Sequence, residues 1–414
     1  MKKLCKIRLP IVLSVVLSAM WMIPQHLQAV EPKPGDVIDA TNIDDYKEYF
    51  PNYLQMFIKG TDFVRPTVVK VRETEAYGPP PNYMKYSEAN RGKFSIDEAG
   101  NLVGDHQAGM PFPEPKEPNL AEKLMWNFYF RWRSDQFYYY RPGWVAYSQR
   151  KGGPITSGSG TQFYMYFTNR TSIDPKPTRP NPNGLFFGFV QHIPDGINKD
   201  MDFLIWRYLD PTRSDEMWSY IPTLRRTLRM VSAERSNPVR GSAATYDDYY
   251  GFDGKIHEFT YDLLREETIL CLMHQVFEGS SKYGGEYYEG YTHPILDEDP
   301  WELWDNYVIE IKAKDPRYPE SKRVVWMADK VYYITNAEIF DKRGSFWKGT
   351  FCSYKPLYIR ATDETGPWMS SQAYIDFKTC YWTGVVGRVD IECGNCDFDI
   401  EYLDPGVLGT PLFY

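Results

Sequence analysis

The chain has 414 residues and a formal net charge of -8, with 33 Tyr, 23 Phe and 12 Trp set among 31 Pro and 30 Gly. An acidic balance argues against nucleic acid as a partner. The aromatic, Pro- and Gly-rich composition fits strands punctuated by turns, arranged as two modest domains or one large β-rich unit.

At the N-terminus Lys2, Lys3, Lys6 and Arg8 precede an apolar run from Ile11 to Ile23, broken only by Ser14 and Ser18; Pro24 and Ala29 come next, ahead of Glu31. That order is the pattern of a cleavable secretory signal, and the run is shorter than the ~20 residues of a membrane helix. Residues 1–29 are therefore expected to be a signal peptide and the remainder a periplasmic protein without a lipid anchor. Residues 30–104 read as an N-terminal arm. Thr41 or Asn42 can cap a short helix there, Pro51 breaks or kinks it, and Gly60 ends it; short strand-like runs and turns fill 61–104. A Pro/Gly-rich stretch over 105–118 leads into a helix opening at Asn119 and running to Trp132, and Asp174–Gly184 is a Pro-rich loop. Strand signals dominate the chain from there to the C-terminus. Tyr307, Ile309, Ile311 and Ala313 alternate with Val308, Glu310 and Lys312. Residues 324–340 give two strands, Asp341–Gly344 a hairpin turn, Ser345–Phe351 the returning strand, and Ala373, Ile375 and Phe377 another alternation. Successive hairpins predict a mainly β (α+β) fold over 105–414: a large curved antiparallel sheet with a few helices packed on one side.

If Trp218–Met230 runs extended, Trp218, Tyr220, Pro222, Leu224, Arg226, Leu228 and Met230 share one face. Arg226 is the one charge in that row. It needs a wet rim position or a partner, the partner being either a carboxylate of the same chain or the anionic head group of a ligand; a turn at Pro222 would reset the register.

Five cysteines come after Cys5, so at least one is unpaired within the monomer. Cys393 and Cys396 have the spacing of a structural disulfide, with Cys352 and Cys380 as further candidates; zinc binding by these four is the alternative. The histidines show no His-Glu-x-x-His spacing, and neither a Gly-x-Ser-x-Gly elbow nor a phosphate-binding Gly loop is present. No cofactor is expected.

Gly109-Met-Pro-Phe-Pro-Glu-Pro115, then Leu124-Met-Trp-Asn127 and Arg131, resemble the signature of the bacterial family called domain of unknown function 1329. Trp206–Asp210, Met217–Pro222 with Arg225 and Arg226, and Gly241-Ser242 leading to Asp247-Asp248 resemble the same family. The hairpin Val324–Thr350 is similar to its relatives, the outer-membrane lipoprotein-sorting proteins of the LolA/LolB type. The resemblance implies an unclosed antiparallel β-barrel with helices over its mouth, holding a lipid-like or acylated molecule in the periplasm. It also implies association with a resistance-nodulation-division exporter of the inner membrane or with an outer-membrane protein. The C-terminal cysteines, Cys271–His274 and the Tyr/Gly/Glu-rich loop at 281–300 depart from the family pattern.

The expected function is thus a non-enzymatic carrier of a hydrophobic ligand, with Trp206, Trp218, Tyr220, Arg226, Leu228 and Met230 as candidate binding residues, to which the resemblance adds Trp126 and Arg131. Two other classes compete. A carbohydrate hydrolase could use Asp247-Asp248 or Asp297-Glu298-Asp299, but adjacent acids on a strand point apart, whereas glycoside hydrolysis needs opposed carboxylates. An outer-membrane β-barrel fits the terminal Leu412-Phe413-Tyr414, although Pro411 disrupts that last strand.

Overall fold

Period-two stretches pair with their sequence neighbours as hairpins, and the hairpins accumulate into two sheets. The computed structural model describes residues 30–61, 66–139, 143–148, 153–194, 198–230, 235–239, 242–275, 299–386, 391–393 and 400–410, with backbone alone for 143–148, 153–159, 386 and 391–393. The expected signal peptide, the 281–298 part of the Tyr/Gly/Glu-rich loop with Asp297 and Glu298, Gly241, Cys396 and the terminal 411–414 lie outside these residues. Four helices are present among them: α1 (Ile43–Tyr46), α2 (Asn52–Lys59), α3 (Pro81–Ala89) and α4 (Leu120–Tyr129). The strands are β1 (Val37–Ile38), β2 (Val69–Val71), β3 (Ser95–Ile96), β4 (Leu102–Val103), β5 (Gln136–Tyr139), β6 (Gly143–Ser148), β7 (Gly153–Ser159), β8 (Thr161–Tyr166), β9 (Leu185–Ile193) and β10 (Met201–Tyr208). They continue with β11 (Glu216–Ile221), β12 (Arg226–Met230), β13 (Phe259–Cys271), β14 (Pro300–Ala313), β15 (Glu320–Ala328), β16 (Tyr333–Asp341), β17 (Phe346–Ile359), β18 (Glu364–Asp376), β19 (Tyr381–Val386) and β20 (Ile391–Cys393).

The larger sheet runs β13-β14-β15-β16-β17-β18-β19-β6-β7, with β1 and β2 added beside the start of β14. The smaller runs β12-β11-β10-β9-β8-β5-β20. Neither closes on itself among the described residues. Register shifts within β13, β15, β17 and β10 are bulges of the kind that bend long strands. The chain steps from β5 in the small sheet to β6 in the large one, from β7 back to β8 in the small one, and from β19 in the large sheet to β20 in the small one. One end of the pair is therefore stitched together three times.

The helices occupy both faces of the large sheet, not one. On the outer face α2 inserts Tyr53, Leu54, Phe57 and Ile58 against Phe351, Ala373, Ile375 and Trp382. Tyr53 Oη lies 2.7 Å from the Thr350 carbonyl and 2.7 Å from Asn336 Oδ1. Gly349 makes this possible, because a Cβ there would run into the Tyr53 ring. On the inner face α4 presents Ala121, Leu124, Met125 and Phe128, the i, i+3, i+4, i+7 stripe of an amphipathic helix, to Ile309, Ile311, Val325 and Met327. This helix stops at Tyr129, short of the expected Trp132. The segment 37–71 is part of the large sheet, since β2 pairs in parallel with Pro300 and Trp301 of β14. Helix α3, which no sequence pattern had marked, buries Tyr83 and Ser87.

Candidate functional site

Where α4 ends, the small sheet takes over as the cover of the large sheet's inner face, and the contact is incomplete. A cavity of about 130 Å³ remains. Its walls arise from strand alternation. The small sheet supplies every second residue of four strands: Phe137 and Tyr139; Gln162 and Tyr164; Phe187, Phe189 and Gln191; Phe203, Ile205 and Arg207. Opposite stand Trp368, Met369, Gln372 and Tyr374 of β18 and Val385 of β19. A strap of single turns, between residues 235 and 253, closes one side with Val239, Tyr246, Tyr249 and Tyr250. The rings pack on each other as well as on the space: Phe137 stacks on Tyr164 at 5.0 Å and meets Trp368 edge-on at 4.9 Å, and Tyr164 stacks on Phe187 at 4.6 Å.

One end of the cavity is charged. Arg207 bonds Asp215 at 3.0 Å and Asp253 at 3.2 Å, and Arg235 bonds Asp215 at 2.9 Å, Asp247 at 2.9 Å and Asp253 at 3.2 Å. Burial alone would raise the Asp215 carboxyl, but Arg207, Arg235 and Lys255 hold it down at about 2. Behind this network lies a larger polar cleft of about 700 Å³, lined by Lys255, His257, Glu258, Lys314 and Tyr318 among others. Arg235 borders both spaces, so the ion pairs form the partition between an oily cavity and a wet one.

Arg133 is bonded differently. It lines the cavity and is 8 % exposed, its nearest carboxylate is Asp253 at 3.8 Å, and its Nε has no hydrogen-bond partner. It lies over the Tyr250 ring at 4.3 Å, and Arg131 lies over the same ring at 4.6 Å.

The candidate residues from sequence are scattered relative to this cavity. Trp206, Trp218 and Tyr220 sit on the opposite face of the small sheet. There Trp206 donates Nε1–H to the Leu403 carbonyl at 2.8 Å, Trp206 meets Trp218 edge-on at 4.9 Å, and Tyr220 packs against Gly409. The C-terminal segment 400–410 covers them, so they pack a core and do not line the cavity. Pro222 does begin a turn, with Arg225 at φ 50°. β12 therefore folds back on β11, pairing Trp218 with Arg229 and Ser219 with Leu228. The single apolar row is thereby broken in two. Leu228, Met230 and Arg226 share the face of Ser219 and hence of Phe203, the cavity side, but at the sheet's edge, where Leu228 is 42 % exposed and Arg226 is exposed too. Arg226 thus takes the wet rim position, the alternative that needs no partner.

Trp126 is a core residue of α4 whose Nε1–H donates to the Gly100 carbonyl at 3.0 Å. Arg131 is buried behind Tyr250, with Nη1 donating to the Phe128 carbonyl at 2.6 Å. Asn127 explains the signature around it: its amide accepts from Phe112 N–H at 3.0 Å and donates to the Phe112 carbonyl at 2.6 Å, anchoring the Gly109–Pro115 loop. Cys352 and Cys380, the further disulfide candidates, are free thiols. Cys352 points away from its neighbour Phe351, whereas Cys380 packs in Phe351's cluster, which places the two on opposite faces of the sheet. Cys396 and the Cys393 side chain lie outside the described residues. Asp248 is held by Arg323 at 2.5 Å and Lys348 at 3.5 Å, and Asp247 by Arg235 and the Tyr318 hydroxyl; both act as ion-pair partners of the strap.

Sequence reasoning missed Phe203 and Ile205 because β10 reads Met-Asp-Phe-Leu-Ile-Trp-Arg-Tyr, apolar on both parities. Arg207 stood within a quoted motif, and its position one residue from Trp206 was the available signal that the two face oppositely.

The fold is thus two unclosed antiparallel sheets folded over an apolar space. The chain belongs to the family described as Protein of unknown function (DUF1329), whose sequence profile matches residues 37–390. Its structure is similar to that of an outer membrane lipoprotein-sorting protein domain from Vibrio parahaemolyticus, with 15 % identity, a TM-score of 0.50, and coverage of 70 % of this chain and 99 % of that one. A DUF1329 family protein from Desulfovibrio piger matches at 14 % identity and a TM-score of 0.47 over 69 % of this chain and 96 % of that one. A LolA superfamily protein from Nitrosomonas europaea matches at 12 % and 0.38, over 67 % and 93 %. No curated protein matches the chain.

Proposed function

We propose that this protein is a periplasmic carrier or chaperone that holds a hydrophobic, lipid-like or acylated molecule between its two sheets. The observation that carries the reading is the cavity itself, walled by aromatic and aliphatic side chains from both sheets. Space of 130 Å³ is close to that of an apolar cavity that holds one benzene ring, about five carbon groups. Removing each methylene from water is worth ~0.8 kcal/mol, so an alkyl segment of that size gains on the order of 4 kcal/mol before ordering costs. The basic-apolar-small order of the N-terminus supports export, as does the likeness to the Vibrio protein described as lipoprotein-sorting. No helix among the described residues is long and apolar enough to cross a membrane. An inner-membrane exporter of the resistance-nodulation-division type or an outer-membrane protein is the partner such a carrier would serve. A binding role, not an enzymatic one, also fits the acids at the cavity end, Asp215, Asp247 and Asp253, each engaged by arginine.

Gently purified protein is expected to release a lipid-like molecule in native mass spectrometry, or to bind a fluorescent fatty-acid analogue saturably. Ile205→Trp, which fills the cavity, is expected to abolish binding while leaving the circular dichroism spectrum unchanged. A protein that carries nothing and binds no such probe would end this reading.

A further inference from the structure

Buried arginine usually has its N–H groups hydrogen-bonded, because the cost of removing its charge from water is recovered only through them. Arg131 and Arg133 are only partly satisfied, and they lie side by side. Arg207 and Arg235 share Asp215 and Asp253, and Arg235 also holds Asp247. Those carboxylates are already engaged. Arg133 reaches only the margin of Asp253, at 3.8 Å, and its Nε is buried without a hydrogen-bond partner. Arg131, 2 % exposed, has no carboxylate partner among the described residues, and its Nε and Nη2 are unsatisfied. Burial and the neighbouring charge of Arg133 both pull its guanidinium below the ordinary value. The two share the Tyr250 ring, which softens but does not neutralise two like charges. On β18, the Tyr374 hydroxyl lines the same cavity, buried at 1 % exposure and likewise unpartnered.

We propose that the molecule held between the sheets is an anionic amphiphile, with its carboxylate or phosphate head on Arg133 and its alkyl or aryl body against Phe137, Phe203 and Ile205. This rests on the carrier reading and adds to it the charge and position of the head group. A planar guanidinium with free N–H groups in a water-poor site suits either oxyanion. The charge of Asp253, 3.8 Å from Arg133, is offset by Arg207 and Arg235, which bond it at 3.2 Å. The Tyr374 hydroxyl supplies a neutral donor from the facing sheet.

Isothermal titration with dodecanoate, dodecyl phosphate, dodecanol and inorganic phosphate, each below its aggregation threshold, tests the assignment. Either or both anionic amphiphiles should bind about tenfold or more tighter than dodecanol, the difference expected for charge-assisted hydrogen bonds. Inorganic phosphate alone should give no measurable heat, since the tail supplies the driving force. In Arg133→Gln the ratio of anion to dodecanol affinity should fall to about one, and Arg133→Lys should restore part of it. The comparison within the unaltered protein stands even if a variant misfolds. Dodecanol binding as tightly as both anions overturns the head-group assignment and leaves the carrier intact. Inorganic phosphate binding as tightly as dodecyl phosphate overturns the amphiphile. Binding of none of the four overturns both readings together.

Discussion

His106 is buried against Phe130, ring centroids 3.7 Å apart, with Nε2 2.7 Å from the Gly109 carbonyl oxygen. Nε2 must therefore carry the hydrogen, and burial holds the imidazole down at about 4. The unfolded chain takes up a proton near the ordinary histidine value of about 6.5, one the native state refuses until about pH 4. The contribution is complete above the unfolded value and declines as pH falls towards the folded one, a loss of roughly 3 kcal/mol over the window. His106→Phe keeps the stacked ring and removes the titration. Denaturant unfolding at neutral pH and near pH 4.5 should show a smaller acid loss in the variant, and equal losses would mean that His106 is not the titrating group. Asn127 makes a second residue-scale case. Both its bonds go to the backbone of Phe112, so Asn127→Leu leaves a buried N–H and C=O unpaired. That should cost roughly 2–4 kcal/mol and expose the 108–118 loop to limited proteolysis. An unchanged melting temperature would show that water replaces the amide.

At the scale of elements, one strand carries two jobs on alternate residues. Ile205 of β10 faces the cavity, while Trp206, next to it, faces the C-terminal cover. Trp206→Ala is therefore expected to lower stability by about 3 kcal/mol with ligand affinity unchanged, the reverse of Ile205→Trp. Leu228→Ser at the exposed edge should shift stability by less than about 0.5 kcal/mol. Loss of ligand binding in Trp206→Ala without loss of stability would mean that the strand faces have been assigned the wrong way round. The same strand shows how far the sequence could be read. The hairpin from β16 to β17 was legible because Asp341-Lys-Arg-Gly344 is polar and ends in a glycine at φ 77°. Helix α4 was legible because its stripe is uninterrupted. Helix α3 was not, since it buries only Tyr83 and Ser87, four residues apart and unlike in character. The site was hidden for two reasons. β10 is apolar on both faces, and the turn after Pro222 breaks the parity on which the face of Trp218–Met230 was assigned. The charged end of the cavity joins residues far apart in sequence, such as Arg207 and Asp253, and no local pattern announces such a pairing.

On the scale of the whole molecule, the two sheets are joined covalently at one end by the β5–β6, β7–β8 and β19–β20 crossings, and elsewhere by the strap. Asp253 and Arg235 tie the strap to Arg207 and Asp215 at the small sheet, and Asp248 ties it to Arg323 and Lys348 of the large one. Gln372 of β18 adds a neutral link, donating to the Asp248 carbonyl at 2.9 Å and accepting from Tyr250 N–H at 3.0 Å. The strap thus acts as a clamp whose inner surface is a wall of the cavity. Burial opposes the charge on Asp248, but Lys348 and Arg323 outweigh it and keep the carboxyl below its ordinary value. Its contribution is therefore present above the unfolded carboxylate range and lost only as pH falls below it, at greater acidity than the His106 window. Asp248→Asn leaves two buried cations short of a counter-charge, a change worth about 3–5 kcal/mol. Because the clamp faces the cavity, the variant should also weaken ligand binding, and its strap amides over 242–253 should exchange hydrogen faster while the amides of β8 and β9 keep their protection. If the whole molecule instead loses protection uniformly, the clamp is inseparable from the core. If neither stability nor strap exchange changes, the ion pairs are not what holds the sheets together, and Gln372 with the aromatic wall must do so.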